Sequence, residues 1–197
     1  MRRGRYPIAA LGAAVAVAVL FSAPSDARSR CAIPRGATVA VKSRDAVVFY
    51  GRLGGMYGCH RSKGRVFLLE RWGDFSMHQL AGRYAAYVVT VEDGMQYFHH
   101  IAVFDLVRGR ESAAVGGFSV SPLVLKRSGS IAWVRNSRVQ PENPDERVYE
   151  VRTMTNDDGD MLVDRGSEIQ PASLALSSDR RSVVWTKAGE TRTAPLP

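Results

Sequence analysis

Four histidines, a run of acidic residues and a serine set among glycines are the side chains of this 197-residue chain whose types could carry out bond-making chemistry. The histidines are His60, His78, His99 and His100. A metal needs several ligands converging on one point, which usually shows as His-Glu-x-x-His or as paired Cys-x-x-Cys. Neither spacing occurs, and His99 and His100, as neighbours on a strand, would point to opposite faces. Asn156, Asp157, Asp158 and Asp160 surround Gly159 and supply three carboxylates of the kind hard cations favour. The alternating Asp-x-Asp-x-Asp-Gly order and the closing glutamate of a calcium loop are both missing, and Asn, Asp and Gly are also what a hairpin turn requires. The stretch Gly116-Gly117-Phe118-Ser119-Val120-Ser121 lacks the second glycine of a nucleophile elbow. No glycine-rich loop ends in Lys-Ser or Lys-Thr, as a phosphate cradle would. These patterns predict no metal ligand and no cofactor, and they leave the catalytic residues unknown.

Binding chemistry is better represented. Trp72 stands in Glu70-Arg71-Trp72-Gly73-Asp74, where an indole beside a carboxylate can stack on a sugar; Asp74 and Phe118 are the other candidates for that role. Two short basic runs, Arg61, Lys63 and Arg65 and then Arg108 and Arg110, flank Gly64 and Gly109 and are suited to an anionic polymer.

The elements that must position these groups come from a repeated apolar stretch: Ala46-Val47-Val48-Phe49-Tyr50, Ala85-Ala86-Tyr87-Val88-Val89, Ile131-Ala132-Trp133-Val134-Arg135 and Val183-Val184-Trp185-Thr186-Lys187. The aromatics Phe49, Tyr87, Trp133 and Trp185 lie 38, 46 and 52 residues apart. Runs without alternation predict strands buried on both faces. Around each lie further strand-like runs: 38–43, 46–50, 56–61 and 65–70; 75–81, 84–91, 97–106 and 111–115; 123–126, 130–134, 147–155 and 161–164; and 173–176, 182–187 and 190–196. Gly64, Gly109 and Gly159 follow the aromatic by 15, 22 and 26 residues and mark the turn between third and fourth strands. The lengthening falls in the hairpin between second and third strands; Pro141 and Pro144 make residues 136–146 a loop. Val148–Met154 alternates Tyr149 and Val151 with Glu150 and Arg152, which predicts a strand partly facing water.

Units of ~40–45 residues with four strands each have the period of a β-propeller. The reading is therefore all-β: a small propeller-like array of about four blades of antiparallel strands, with a two-sheet β-sandwich as the structural alternative. The fourth unit lacks a fourth strand, and residues 28–36 are the spare segment able to close a ring. On this topology the turns after first and third strands share one rim, which is rich in Arg and Lys. The opposite rim, after second and fourth strands, carries more acidic residues, the longer loops, Trp72, Asp74 and Phe118.

The start of the chain reads as an address. Arg2, Arg3 and Arg5 precede an uncharged apolar run over residues 8–21, and Ser25-Asp26-Ala27 offers a cleavage site. The run is short of the ~20 residues a membrane span needs. Residues 1–27 are thus expected to be a signal peptide, 28–36 a lead and 37–197 the propeller-like domain of a secreted, extracytoplasmic protein without a transmembrane span once cleaved. Cys31 and Cys59, an even pair in the exported part, are expected to form a disulfide. The formal charge is +8, from 27 basic and 19 acidic residues. An Arg-, Ala-, Val- and Gly-rich composition is that of a high-GC bacterial genome, and the charge favours anionic partners. Nucleic acid is not expected, since the basic runs lack interleaved aromatics.

Residues Leu176-Ser177-Ser178-Asp179-Arg180-Arg181-Ser182-Val183-Val184-Trp185 resemble the TolB-type, WD-repeat-like propeller repeat, with Ser178 where that repeat has proline and Arg180 where it has glycine. Asp105-Leu106 followed by Gly109 is similar to its third strand and turn. The resemblance implies a scaffold and no catalytic residue. The expectation is a secreted, non-enzymatic binding protein for an anionic or carbohydrate cell-envelope polymer. The alternative is an enzyme acting on an extracellular polymer, whose acids would be drawn from Asp74, Asp93 and Glu142.

Overall fold

A computed structural model of the protein describes residues 31–93, 96–117, 120–137, 147–155 and 158–197. Residues 1–27, Phe118 and Glu142 lie outside the described residues, as do Asn156 and Asp157 of the acidic run. The described chain is built of strands in four antiparallel sheets, each a simple meander. The first holds β1 (Thr38–Lys42), β2 (Ala46–Tyr50), β3 (Met56–His60) and β4 (Val66–Glu70). The second holds β5 (Asp74–Ala81), β6 (Tyr84–Asp93), β7 (Gln96–Asp105) and β8 (Arg110–Gly117). The third holds β9 (Val120–Leu125), β10 (Ile131–Ser137), β11 (Val148–Met154) and β12 (Met161–Gly166). The fourth has three strands, β13 (Ile169–Leu176), β14 (Ser182–Lys187) and β15 (Glu190–Pro195).

The first strands of consecutive sheets adjoin: β1 lies beside β5, β5 beside β9 and β9 beside β13. They therefore line an axis, with β4, β8 and β12 at the outside. This is the blade arrangement of a propeller and excludes a two-sheet sandwich. Three apolar clusters fill the gaps between consecutive blades. Val48, Tyr87 and Leu106 pack between the first and second; Val88, Ile101 and Trp133 between the second and third; Val134, Val183 and Trp185 between the third and fourth. Each second strand feeds two gaps at once, because alternate side chains face opposite neighbours. In β2, Val48 faces the second blade while Val47 and Phe49 face outward, yet all three are at most 2% exposed.

The outward face of the first blade is covered by the lead. Cys31 is bonded to Cys59 on β3, and Cys31 with Ala37 packs on Val47, Phe49, Tyr57 and Val66. Cys31 and Ala37 thus cover a sheet face, with the exposed residues 32–36 between them, and 31–36 form no strand, contrary to the expectation that the lead closes a ring by pairing with the last sheet. Its disulfide holds it on β3, away from β15. Among the described residues, no apolar cluster joins the fourth blade to the first.

Two further expectations need correction. β14 is buried on one face only, since Val184 and Thr186 are half-exposed while Val183 and Trp185 are buried. Among the described residues, no apolar cluster covers its outer side, which it shares with Thr191 and Thr193 of β15. Glu150 does not face water; it is buried on β11, because Arg135 and Arg152 reach it from the same face.

Candidate functional site

Short turns bring the functional candidates to one end of the axis. After β1, the Ser43 hydroxyl accepts the amides of Asp45 (3.2 Å) and Ala46 (3.1 Å). After β13, the Ser177 hydroxyl accepts the Ser182 amide at 3.0 Å and donates to Asp179 at 2.6 Å. Asp179 also accepts the Arg181 amide at 2.9 Å, and the two hydrogen bonds hold its carboxyl below the usual aspartate range. This local wiring makes each turn tight. At Arg180 the backbone is left-handed, with φ of 59°. Glycine is the residue for such a conformation, and the repeat pattern has glycine there.

The turns after the first strands of all four blades border one cavity of about 530 Å³. The first blade gives Ser43, Arg44 and Asp45, and the second Leu80, Ala81 and Gly82. The third gives Leu125 and Arg127, and the fourth Leu176, Ser177, Ser178 and Arg180. It is the mouth of the central channel on the rim that also carries the turns between third and fourth strands. Arginines from three blades and one acidic residue, Asp45, line it, a formal balance of +2. Arg127 lies along the second blade's turn, where a Cβ on Gly82 would be 3.7 Å from its Cγ. The second blade adds no arginine of its own, because Arg83 is committed elsewhere: to the buried Asp105 at 3.2 Å and to the Tyr84 hydroxyl at 2.7 Å.

The five basic residues singled out from the sequence sit on the same rim but further from the axis, on the turns leaving β3 and β7 of the first two blades. The two turns are in contact through Phe67, since a Cβ on Gly109 would fall 2.1 Å from its ring. The Arg65 guanidinium lies 5.0 Å over the same ring. The second turn is fastened by Asp105, whose Oδ1 accepts the amides of Val107 (2.9 Å) and Arg108 (3.0 Å). Arg108 pairs with the other carboxylate oxygen of Asp105 at 3.7 Å. Lys63 and Arg110 are exposed.

Trp72 is on the opposite rim. It is 73% exposed, so it does not cap the gap between blades. Asp74, also exposed, opens β5, and Leu53 at 93% exposure occupies another turn of that rim. Of the enzyme candidates only Asp74 has a described side chain. Among the described residues there is no group of three or more His, Cys, Asp or Glu able to hold a metal. His78 donates to or accepts from the Tyr50 hydroxyl (2.7 Å), His99 likewise with Thr90 (3.0 Å) and His60 with Ser62 (2.7 Å). Asp160 is bound by Arg152 at 2.6 Å.

The set Arg44, Arg127 and Arg180 is what sequence reasoning did not assemble. Each was visible as a rim residue. Their one common mark is position, just past the first strand of a unit, and Arg180 adds the replacement of an expected glycine.

No protein-family model matches the chain, and no curated protein matches it. Solved structures do. One of two prolyl endopeptidases, from a study of inter-domain dynamics in catalysis and specificity, matches 81% of this chain and 29% of its own at 15% identity, with a TM-score of 0.52. The β-propeller domain of the Trilobed protease from Pyrococcus furiosus matches over 56% of this chain and 33% of its own, at 18% identity and a TM-score of 0.45. An acylaminoacyl peptidase of Pyrococcus horikoshii matches over 58% and 17%, at 16% identity and a TM-score of 0.44. The chain thus spans between 17% and 33% of the length of these three proteins. At 15% identity the likeness to the prolyl endopeptidase is one of fold, and it agrees with the blades described above. It leaves the TolB-type repeat as a resemblance.

Proposed function

We propose that the protein is a non-enzymatic binding module, exported from a bacterial cell, that holds an anionic cell-envelope polymer on the rim carrying the channel mouth. The observation that carries this reading is the gathering of arginines there. Arg44, Arg127 and Arg180 surround the mouth, and the paired turns bearing Arg61, Lys63, Arg65, Arg108 and Arg110 lie outside it on the same rim. Cations spread over one face act together on a polyanion and steer its approach, while a single exposed pair contributes little. Export is supported by the basic, apolar and small-residue pattern of residues 1–27 and by the Cys31–Cys59 disulfide, a bond that persists in oxidising compartments.

Retention on immobilised heparin, a sulfated model polymer, tests the reading. The parent chain should elute late and with strong salt dependence, and charge reversal at Arg108 and Arg110 (R108E/R110E) should bring elution clearly earlier. Unchanged retention in that variant removes the proposal. The exposed Trp72 favours a neutral glycan as a second ligand on the opposite rim, together with Asp74. Quenching of tryptophan fluorescence by neutral oligosaccharides, lost in Trp72→Ala, would be its signature, and an unresponsive parent chain would refute it.

A further inference from the structure

The channel mouth has a composition that a polymer-binding rim does not need. Leu80, Leu125 and Leu176 occupy matching places at the ends of the axial strands β5, β9 and β13, and all three border the cavity beside Arg44, Arg127 and Arg180. Leu125 is buried, and Leu80 and Leu176 are half-buried. Beside the three arginines, which are exposed, the leucines give the cavity an apolar patch. It offers nothing to a bare hydrated ion. The volume of about 530 Å³ lies within the range of sites that enclose small organic ligands.

We infer that the mouth is a discrete site for a small organic phosphate ester, of the size of a phosphorylated monosaccharide, taken either free or as one unit of a phosphate-bearing polymer. The phosphate engages the arginines. A guanidinium presents a planar fork of donors that matches phosphate oxygens two at a time. The arginines come from three blades, so one group is gripped from three sides, and their excess over Asp45 matches a dianion. The carbon body of the ester lies against the leucines. Arg180 strengthens the assignment: it holds a left-handed conformation that glycine would adopt without strain, and its side chain is what the position gains in exchange. This inference rests on the anion-binding reading above and narrows it to one site and one ligand class.

Calorimetric titration of the full chain with glucose 6-phosphate, glucose and inorganic phosphate is the test. The ester should bind, glucose should give no heat, and inorganic phosphate should bind at least about tenfold more weakly than the ester. Arg180→Gly and Arg127→Gln should each weaken the ester about tenfold or more, while the denaturation midpoint of Arg180→Gly stays level or rises. A parent chain that does not bind the ester overturns the inference, as does an affinity unchanged in both variants. Inorganic phosphate binding as tightly as the ester would overturn the part assigned to the leucines. A phosphorylated polymer that competes for the ester identifies the polymer unit as a source, and ester binding that such a polymer leaves untouched assigns the site to the free compound. Heparin retention without ester binding sinks this inference alone; ester binding without heparin retention sinks the polymer proposal alone.

Discussion

Gly109 shows how much one side chain, or its lack, decides here. Its φ is +70°, and a Cβ built on it would stand 2.1 Å from the Phe67 ring. Glycine serves both needs: it accepts the left-handed turn, and it lets the ring seat against the neighbouring blade's turn. Gly109→Ala should therefore cost roughly 1–3 kcal/mol, combining backbone strain with overpacking. Urea denaturation reads the cost. Repeating the change in a Phe67→Ala background should recover the overpacking part and leave the backbone part, whereas an equal cost in both backgrounds would mean that the ring contact is unimportant. Glycine at this place was legible in the sequence as a turn marker. The ring against it was not, because Phe67 lies 42 positions earlier and nothing local joins the two.

Elements were the most legible scale. Runs such as Ala85-Ala86-Tyr87-Val88-Val89 combine β-branched, aromatic and small residues, and a stretch apolar at every position suits a strand between two covering layers, as β6 is and β14 is not. β2 was bounded at 46–50 and is Ala46–Tyr50, and β14 was bounded at 182–187 and is Ser182–Lys187. β11 was misjudged at Glu150, whose charge reads locally as exposure. Register reverses that reading: Arg135 stands opposite Glu150, and Trp133 opposite Arg152, so all four side chains share one face. Arg135 bonds the carboxylate at 2.6 Å and Arg152 at 2.8 Å. Burial raises the Glu150 pKa, but the two arginines outweigh it and hold the carboxyl below its ordinary value of 4.5. The sign follows. The unfolded chain takes up this proton first, so the contribution to stability is complete above about pH 4.5 and is lost as the pH falls through the lowered folded value. Across that acid window Glu150→Gln should be less stable than the parent at neutral pH but should lose less stability on acidification. Denaturation midpoints measured from pH 7 to 3 check this, and parallel curves for both chains would discount the ion pair.

At the scale of the whole molecule the two ends of the blade series differ. The first blade's outer face is apolar and is covered by a lead held through Cys31–Cys59, a pair separated by 28 residues. The last blade's outer face mixes Val184 with threonines. Reduction, or Cys31→Ser, should cost about 3 kcal/mol by the chain-entropy estimate. It should also loosen the cover over Val47 and Phe49 and promote association. Light scattering with and without reductant measures both effects together with the melting temperature, and a reduced chain that stays monomeric and equally stable would deny the lead its role. Four blades were legible as a period; the fate of the lead was not, because cysteine pairing names two residues and says nothing of the sheet face they cover.

Apolar contacts in this fold run from each blade to the next, and the described clusters make no long return from the last blade to the first. A chain wired in this way need not wait for its far end before its early parts consolidate. Each described blade is a meander of strands adjacent in sequence, so structure can grow blade by blade from the end that is synthesised first. The channel mouth is the exception, since it takes a turn from every blade and is finished only when residues 176–180 arrive. Whatever occupies that mouth would meet a competent site only on chains that have folded to the end, which makes occupancy a report on maturation.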